Sequence, residues 1–258
     1  MIYVCIPSHD EAPTIGLLLW RIRQVFTGFP REYQLLVGDD ASTDTPSEVL
    51  QPYTRVLPLT VMRNPARLGY ARTVEGLLRL AAERTDRPKR DTAIVMHADF
   101  RHDAQYLPEF VRRIDGGADL VVGQGVLRGE ASRAHRLLRR FGPLLLRDRV
   151  RVAGVHDVVS GFLAVRIATL RAALRDGGPS WLRQEGWAAN AELIAQLGRR
   201  ARRVDAVDTV ERHDLRPRAS RLEPWPAARA LWRARRSLAQ AAPVAAPAPE
   251  EPAAELVS

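Results

Sequence analysis

The sequence predicts an α/β protein: a mostly parallel sheet flanked by helices on both faces. Short β-rich runs alternate with amphipathic stretches through the first half of the chain, the pattern of repeated β-α-β units. Acidic and hydroxyl residues cluster immediately after those runs, where such sheets bind ligands beyond the carboxyl ends of their strands. No Gly-x-Gly-x-x-Gly follows the first run, which argues against a dinucleotide-binding version of the architecture.

Strands are expected at residues 2–6, 33–37, 57–62, 93–96 and 120–122, with helices at 14–26, 68–84 and 104–114 between them. In 14–26, apolar Ile15, Leu18, Leu19, Ile22, Val25 and Phe26 recur at helical spacing. The second half reads as a helix at 133–150, a strand at 161–167, helices at 168–174 and 188–197, and a strand at 203–210. Helix 133–150 sets Leu137, Leu138, Phe141, Leu144 and Leu145 among Arg133, Arg136, Arg139, Arg140, Arg147 and Arg149, which fits an ordinary helix packed on the sheet with a solvated arginine face and also has the composition of an interfacial helix. Cys5 lies within the first strand and has no second cysteine to pair with, so it reads as a small buried apolar residue.

A length of 258 residues with 46% hydrophobic residues suits one α/β unit with a sizeable core. The expected organisation is a folded unit over 1–222, in halves 1–122 and 123–222. A basic helix at 223–240 and a disordered Ala/Pro/Glu tail at 241–258 follow. No run approaches the ~20 apolar residues of a membrane span, and Met1 to Pro7 reads as a strand rather than a leader; the expected location is cytoplasmic, with peripheral contact at a membrane surface open. The formal charge is +9, and Lys89 is the sole lysine. The tail holds Glu250, Glu251 and Glu255 and no base, so the folded body is more positive still. Arginine forks suit phosphate oxygens. Nucleic acid is not the expected partner, because no helix-turn-helix, zinc-ligand or RNA-binding aromatic signature is present.

The chemistry-bearing residues follow the strands. Pro7-Ser8-His9-Asp10-Glu11 comes after the first and Gly38-Asp39-Asp40-Ala41-Ser42-Thr43-Asp44 after the second. Their carboxylates suit base N–H and ribose hydroxyl groups, although Thr43 and Asp44 fit turn and cap positions as well. Asn64-Pro65-Ala66-Arg67-Leu68-Gly69-Tyr70-Ala71 leads into a helix, which sets Arg67 near a helix N-terminus suited to phosphate. His97, Asp99 and Arg101 alternate after the fourth strand, and extended alternation would turn all three to one side. A carboxylate there suits a divalent ion bridging a diphosphate.

These segments, in this order and with Asp157-Val158-Val159-Ser160-Gly161-Phe162, resemble the inverting family 2 glycosyltransferases of GT-A fold, nearest to the dolichol-phosphate (polyprenol-phosphate) mannosyltransferase branch. The resemblance runs from Met1 to Leu222. It implies a nucleotide-diphosphate sugar as donor and a polyprenyl phosphate or hydroxyl as acceptor. By resemblance, Pro7, His9, Glu11, Asp39 and Asp40 hold the nucleoside, Arg67 lies near the diphosphate, and Ser160 lines the acceptor side. Glu192 falls where relatives carry a helix carboxylate, and Arg218 and Ser220 belong to a late basic segment that closes over phosphate. His97, Asp99 and Arg101 occupy the Asp-x-Asp motif and the polar position after it, which makes His97 and Asp99 the candidate metal ligands.

The sequence departs from that motif by His97 and Arg101. Imidazole suits Mn²⁺ better than Mg²⁺, whereas arginine has no lone pair for a metal. The expectation is a weak, Mn²⁺-preferring site, or a metal-independent one in which Arg101 neutralises the diphosphate. Asp99 would stabilise the leaving group with either cation, and Asp157 or Glu192 would serve as general base for a hydroxyl acceptor. A catalytically silent nucleotide-sugar-binding module of the same fold is the alternative. A sugar-1-phosphate nucleotidyltransferase would need a glycine-rich loop after the first strand, and residues 8–11 do not form one.

Overall fold

The structure, a computed structural model, describes residues 1–44, 46–128, 133–146, 148–178, 180–212 and 224–238. Seven strands form one sheet: β1 (Ile2–Ser8), β2 (Tyr33–Asp39), β3 (Leu59–Arg63), β4 (Thr92–Val95), β5 (Leu120–Arg128), β6 (Leu163–Arg166) and β7 (Val204–Arg212). Their spatial order is β3-β2-β1-β4-β6-β5-β7. Every pairing is parallel except those of β6, which runs antiparallel to β4 and β5.

Among the described residues there are eight helices: α1 (Ala12–Gly28), α2 (Pro46–Thr54), α3 (Tyr70–Arg84), α4 (Leu107–Asp115), α5 (Arg133–Leu146), α6 (Ile167–Gly177), α7 (Gly186–Gly198) and α8 (Pro224–Ser237). The period-2 alternation of β1 divides the core. Ile2, Val4 and Ile6 pack with Leu18 and Ile22 of α1 and Phe110 of α4 on one face. Tyr3 and Cys5 pack with Leu77 and Leu78 of α3, and with α6 and α7, on the other. Cys5 is fully buried, and burial raises its thiol pKa, so it is the inert apolar filler its position suggested.

The expected elements are present with shifted ends. Helix 133–150 stops at Leu146, where the N–H of Val150 donates to the Leu146 carbonyl at 2.8 Å. Strand 161–167 narrows to β6, and 203–210 becomes β7. Residues 104–106 form a separate 3₁₀ turn before α4. α2 was not expected from the sequence, since Pro52 lies inside its nine-residue span. The tail at 241–258 and the motif residues Arg218 and Ser220 lie outside the described residues.

One close approach fixes the geometry of the site. At Gly38, near the end of β2, an added Cβ would stand 2.6 Å from Cγ2 of Thr73 and 3.1 Å from Cδ1 of Leu77. Hydrogen there lets the start of α3 lie against β2. Gly38→Ala should therefore cost about 1–3 kcal/mol through overpacking, read as a lower urea midpoint. An unchanged midpoint would show that α3 is not seated this tightly.

Candidate functional site

The carboxyl ends of β1, β2 and β4 open onto a cleft of about 290 Å³, closed on its far side by the start of α3 and by α7. Its turns are tightly wound: Asp10, Ala41 and Phe100 each take a positive φ, between 48° and 59°, at about 1–3 kcal/mol of strain apiece for non-glycine residues. Cross-ties hold the first two turns together. Asp10 accepts from the Thr43 N–H at 2.7 Å, and its own N–H donates to Ser42 Oγ at 2.9 Å.

The paired carboxylates after β2 have different surroundings. Asp39 is buried outside the cleft lining; its Oδ1 accepts from the Ser42 N–H at 3.0 Å and Oδ2 lies 3.5 Å from Arg63 Nε. Asp40 reaches the cleft, but both its oxygens are engaged. They accept from Asn64 Nδ2 (2.9 Å), the Leu68 N–H (2.8 Å) and the Gly69 N–H (2.9 Å). Burial pushes the Asp40 pKa up, yet bonds from Asn64, Leu68, Gly69 and Thr73 outweigh it and hold the carboxyl below its ordinary value. The start of α3 is thus already capped by protein carboxylates, since the Ala71 N–H donates to Glu185 Oε2 at 3.3 Å. A phosphate does not have that helix terminus to itself, although Arg67 stands exposed at the cleft edge.

Pro7, His9 and Glu11 line the β1 side. His9 Nδ1 lies 2.8 Å from the Asp40 carbonyl, and Glu11 Oε2 accepts from Thr14 Oγ1 at 3.0 Å. His97, Asp99 and Arg101 also converge on the cleft, but not by strand alternation. β4 ends at Val95, and the left-handed Phe100 turns the chain back between Asp99 and Arg101. Arg101 donates from its backbone N–H to Asp99 Oδ1 at 3.2 Å and sets Nη2 3.5 Å from Oδ2. Its guanidinium is mostly enclosed, and Nε has no hydrogen-bond partner.

His97 stacks on Tyr70 with ring centroids 5.1 Å apart. Its Nε2 faces Gly161, where any Cβ would collide with it, and has no hydrogen-bond partner. Burial lowers the His97 pKa to about 3, with Arg101 and His102 adding to the effect, so the ring is neutral at physiological pH. The protein side chains alone do not assemble a divalent-ion site. Among the described residues no group of three or more His, Cys, Asp and Glu is placed to hold one, the Asp99 carboxylate faces a guanidinium, and His97 Nε2 faces Gly161.

The candidate bases sit away from the cleft lining. Arg139 of α5 grips Asp157 through both carboxylate oxygens and donates to Glu211 Oε1 at 2.6 Å. Both oxygens of Asp157 are thus taken up by the Arg139 guanidinium. Glu192 lies on the other side of α7 from the cleft and accepts from the N–H groups of Arg183 (2.7 Å) and Gln184 (2.9 Å). Ser160 is buried and bonds locally to Phe162. Among the cleft residues given no role of their own in the sequence reading are Ser8, Tyr70, Trp187 and Asn190. Trp187 and Asn190 are three apart, on one face of α7. That spacing was the available signal, and it selects Asn190 over Glu192. Asn190 accepts from the Tyr70 hydroxyl at 2.8 Å and donates to the Val159 carbonyl at 3.1 Å.

Asp40→Ala should act on stability before it acts on binding. Charge-assisted hydrogen bonds are worth ~1.5–3 kcal/mol each, so losing the set should cost about 3 kcal/mol and loosen residues 64–69, read by denaturation and hydrogen exchange. Because the folded pKa of Asp40 is depressed, its contribution is present above the ordinary carboxylate value and lost as pH falls through the folded one. Asp40→Asn should flatten that acid limb. Full stability with weakened nucleotide binding alone would contradict this assignment.

The family model described as glycosyl transferase family 2 matches residues 3–173. A dolichol-phosphate mannosyltransferase of Pyrococcus furiosus is 28% identical over 169 residues, 63% of this chain and 45% of that protein. An undecaprenyl-phosphate 4-deoxy-4-formamido-L-arabinose transferase of Photorhabdus laumondii is 25% identical over 123 residues, 46% of this chain and 35% of that one. The chain spans under half the length of these curated relatives. Among solved structures, glucosyl-3-phosphoglycerate synthase of Mycobacterium tuberculosis with Mn²⁺, UDP-glucose and phosphoglyceric acid gives a TM-score of 0.65 at 19% identity, covering 93% of this chain and 79% of that chain. S. aureus TarS 1-349 with UDP-GlcNAc gives 0.58 at 16% identity, covering 89% and 64%. The sheet order and these neighbours are those of the GT-A fold. The chain belongs to glycosyl transferase family 2.

Proposed function

We propose that this chain transfers a hexose from a nucleotide-diphosphate sugar to an acceptor with inversion, and that Arg101 supplies the positive charge at the leaving diphosphate. The observation that carries the reading is a pair of enclosed polar atoms without hydrogen-bond partners on residues that line one cleft: Ser8 Oγ and Arg101 Nε. Buried polar groups are ordinarily paired, so two such atoms beside one cavity call for a polar ligand. Family membership and the cleft's position beyond the strand ends support a nucleotide-diphosphate sugar as that ligand.

In this reading Pro7, His9 and Glu11 hold the nucleoside, while Asp39 and Asp40 shape the wall from behind. Arg67 and Arg101 face the diphosphate. Asp99 orients the Arg101 guanidinium and limits the charge it carries alone. As the acceptor oxygen bonds to the anomeric carbon, the bond from that carbon to the diphosphate oxygen breaks. The electron pair leaves with the nucleoside diphosphate, where a fixed guanidinium in an enclosed site stabilises it.

Asp99 faces a cation, and Asp157 and Glu192 are tied elsewhere. That favours an acceptor that is already anionic, such as a polyprenyl phosphate, because it needs no strong base. The curated relatives are named for transfer to dolichol phosphate and undecaprenyl phosphate.

Two measurements test the reading. Release of nucleoside diphosphate from a panel of nucleotide-sugars should proceed in EDTA and change little on adding Mn²⁺ or Mg²⁺; activity abolished by EDTA and restored by either ion would overturn the role of Arg101. Arg101→Gln should lower kcat by about 10²- to 10³-fold, the usual effect of losing one preorganised stabilising donor. Unchanged kcat in that variant would be equally damaging.

A further inference from the structure

α5 and α8 pack against each other and present an unusual outer surface. Between them runs an open groove of about 330 Å³ whose walls include Leu137, Phe141 and Leu145 of α5 and Pro224, Trp225 and Ala228 of α8. Large apolar side chains remain in solvent along it: Trp225 is 74% exposed and Leu137 61%. Leu144 and Trp232 extend the exposed apolar surface of the two helices. Monomeric soluble proteins rarely leave contiguous apolar surface of this kind without a partner.

The charge pattern identifies the partner's chemistry. Neither helix contains an aspartate or a glutamate. Arg133, Arg136 and Arg140 of α5 are exposed beside Leu137, Phe141 and Leu144, at three- and four-residue spacing on one face. On α8, Trp225, Arg229, Trp232 and Arg236 follow one another at the same spacing, with the Arg236 guanidinium 4.8 Å over the Trp232 ring. Leucine and phenylalanine for an acyl layer, tryptophan for the headgroup level and arginine for lipid phosphates together describe a surface that lies on an anionic bilayer. No helix of the described residues is long and apolar enough to cross one.

The inner face of α5 joins this surface to the cleft. Arg139 pairs with Asp157 and Glu211 and sits 5.7 Å over the ring of Trp187, which lines the cleft. Leu138 and Leu146 of α5 and Leu231 and Ala234 of α8 are buried in the same core as Trp187. The two-helix platform is thus one side chain away from the cleft wall.

We propose that the α5–α8 pair docks the protein on the surface of an anionic membrane and holds the cleft beside it. Resting on the reading given under Proposed function, the docked platform meets a lipid-linked phosphate acceptor at the headgroup level, while the donor enters from water. The salt dependence comes from the arginines, and the residual affinity at high salt from the apolar ridge.

Flotation of the full chain with phosphatidylcholine vesicles, with and without phosphatidylglycerol, tests the proposal. The protein should float with the anionic vesicles at least tenfold more than with the neutral ones, and 0.5 M salt should release most of it. Leu137→Ser/Phe141→Ser and, separately, Arg133→Gln/Arg136→Gln/Arg140→Gln should each abolish flotation while leaving nucleoside diphosphate binding and circular dichroism unchanged. As a check independent of those variants, brominated anionic lipid should quench tryptophan fluorescence in the wild type and much less in Trp225→Phe/Trp232→Phe. Absence of flotation with anionic vesicles, equal flotation with neutral ones, or a salt-stable dimer that the apolar variants dissociate would each overturn it. Flotation without nucleotide binding would instead tell against the transferase reading and leave the docking surface standing.

Discussion

Asp40 is held from three directions by donors that come from a different part of the chain. Asn64 follows the end of β3, and the Leu68 and Gly69 N–H groups lead directly into α3. The bonds weld the end of β2 to a loop that has no other regular structure. They are possible only because Gly38 lets α3 approach β2 and Gly69 adopts a φ of 94°. Thr73 closes the arrangement by accepting from Asn64 at 3.1 Å. If that carboxylate lost its partners, the wall carrying Arg67, Gly69 and Tyr70 would no longer have a fixed position. A carboxylate desolvated to this degree persists only with its hydrogen bonds complete, and here they are complete without any ligand.

The sheet was legible because strands buried on both faces read as short apolar runs and helices as 3.6-residue periodicity. Less legible was which polar residue at a strand end faces the ligand and which faces the protein. Asp40 and Asp157 stand in ligand-like motifs, yet their oxygens are consumed by Asn64, the 68–69 backbone and Arg139. A sequence shows the carboxylate but not the donors that reach it from 20 or 30 residues away. Glu192 was named because the resemblance places a helix carboxylate there; the helical phase relative to Trp187 shows that the Asn190 amide faces the cleft instead. The convergence of His97, Asp99 and Arg101 was anticipated for a different reason than the one the structure gives. It depends on Phe100 turning in the left-handed region, which no residue preference signals for phenylalanine.

In the cleft, His97, Asp99 and Arg101 stand where the resemblance implies an Asp-x-Asp pattern. The ring of His97 is locked between Tyr70 and Gly161, and Arg101 fills the space beside Asp99 with a permanent charge. A guanidinium offers directional donors where an ion would offer a point charge, and it stays in place when the nucleotide leaves. On the other flank, α5 and α8 carry arginine and apolar side chains outward, while Arg139 alone turns inward to the core. Inside, Arg101 and Arg139 face carboxylates, whereas on the platform Arg140 and Arg236 stand over the rings of Phe141 and Trp232.

The most direct test of the central claim is thermal unfolding of the wild-type chain in EDTA against a panel of nucleoside diphosphates and their sugars. Ligands that bind the folded state stabilise it by mass action, about 2.7 kcal/mol at a hundredfold excess over Kd. At least one nucleoside diphosphate should raise Tm by several degrees in EDTA, with no further gain from Mn²⁺. A panel without effect in EDTA that becomes stabilising only when Mn²⁺ is added would contradict the assignment of Arg101 as the resident cation.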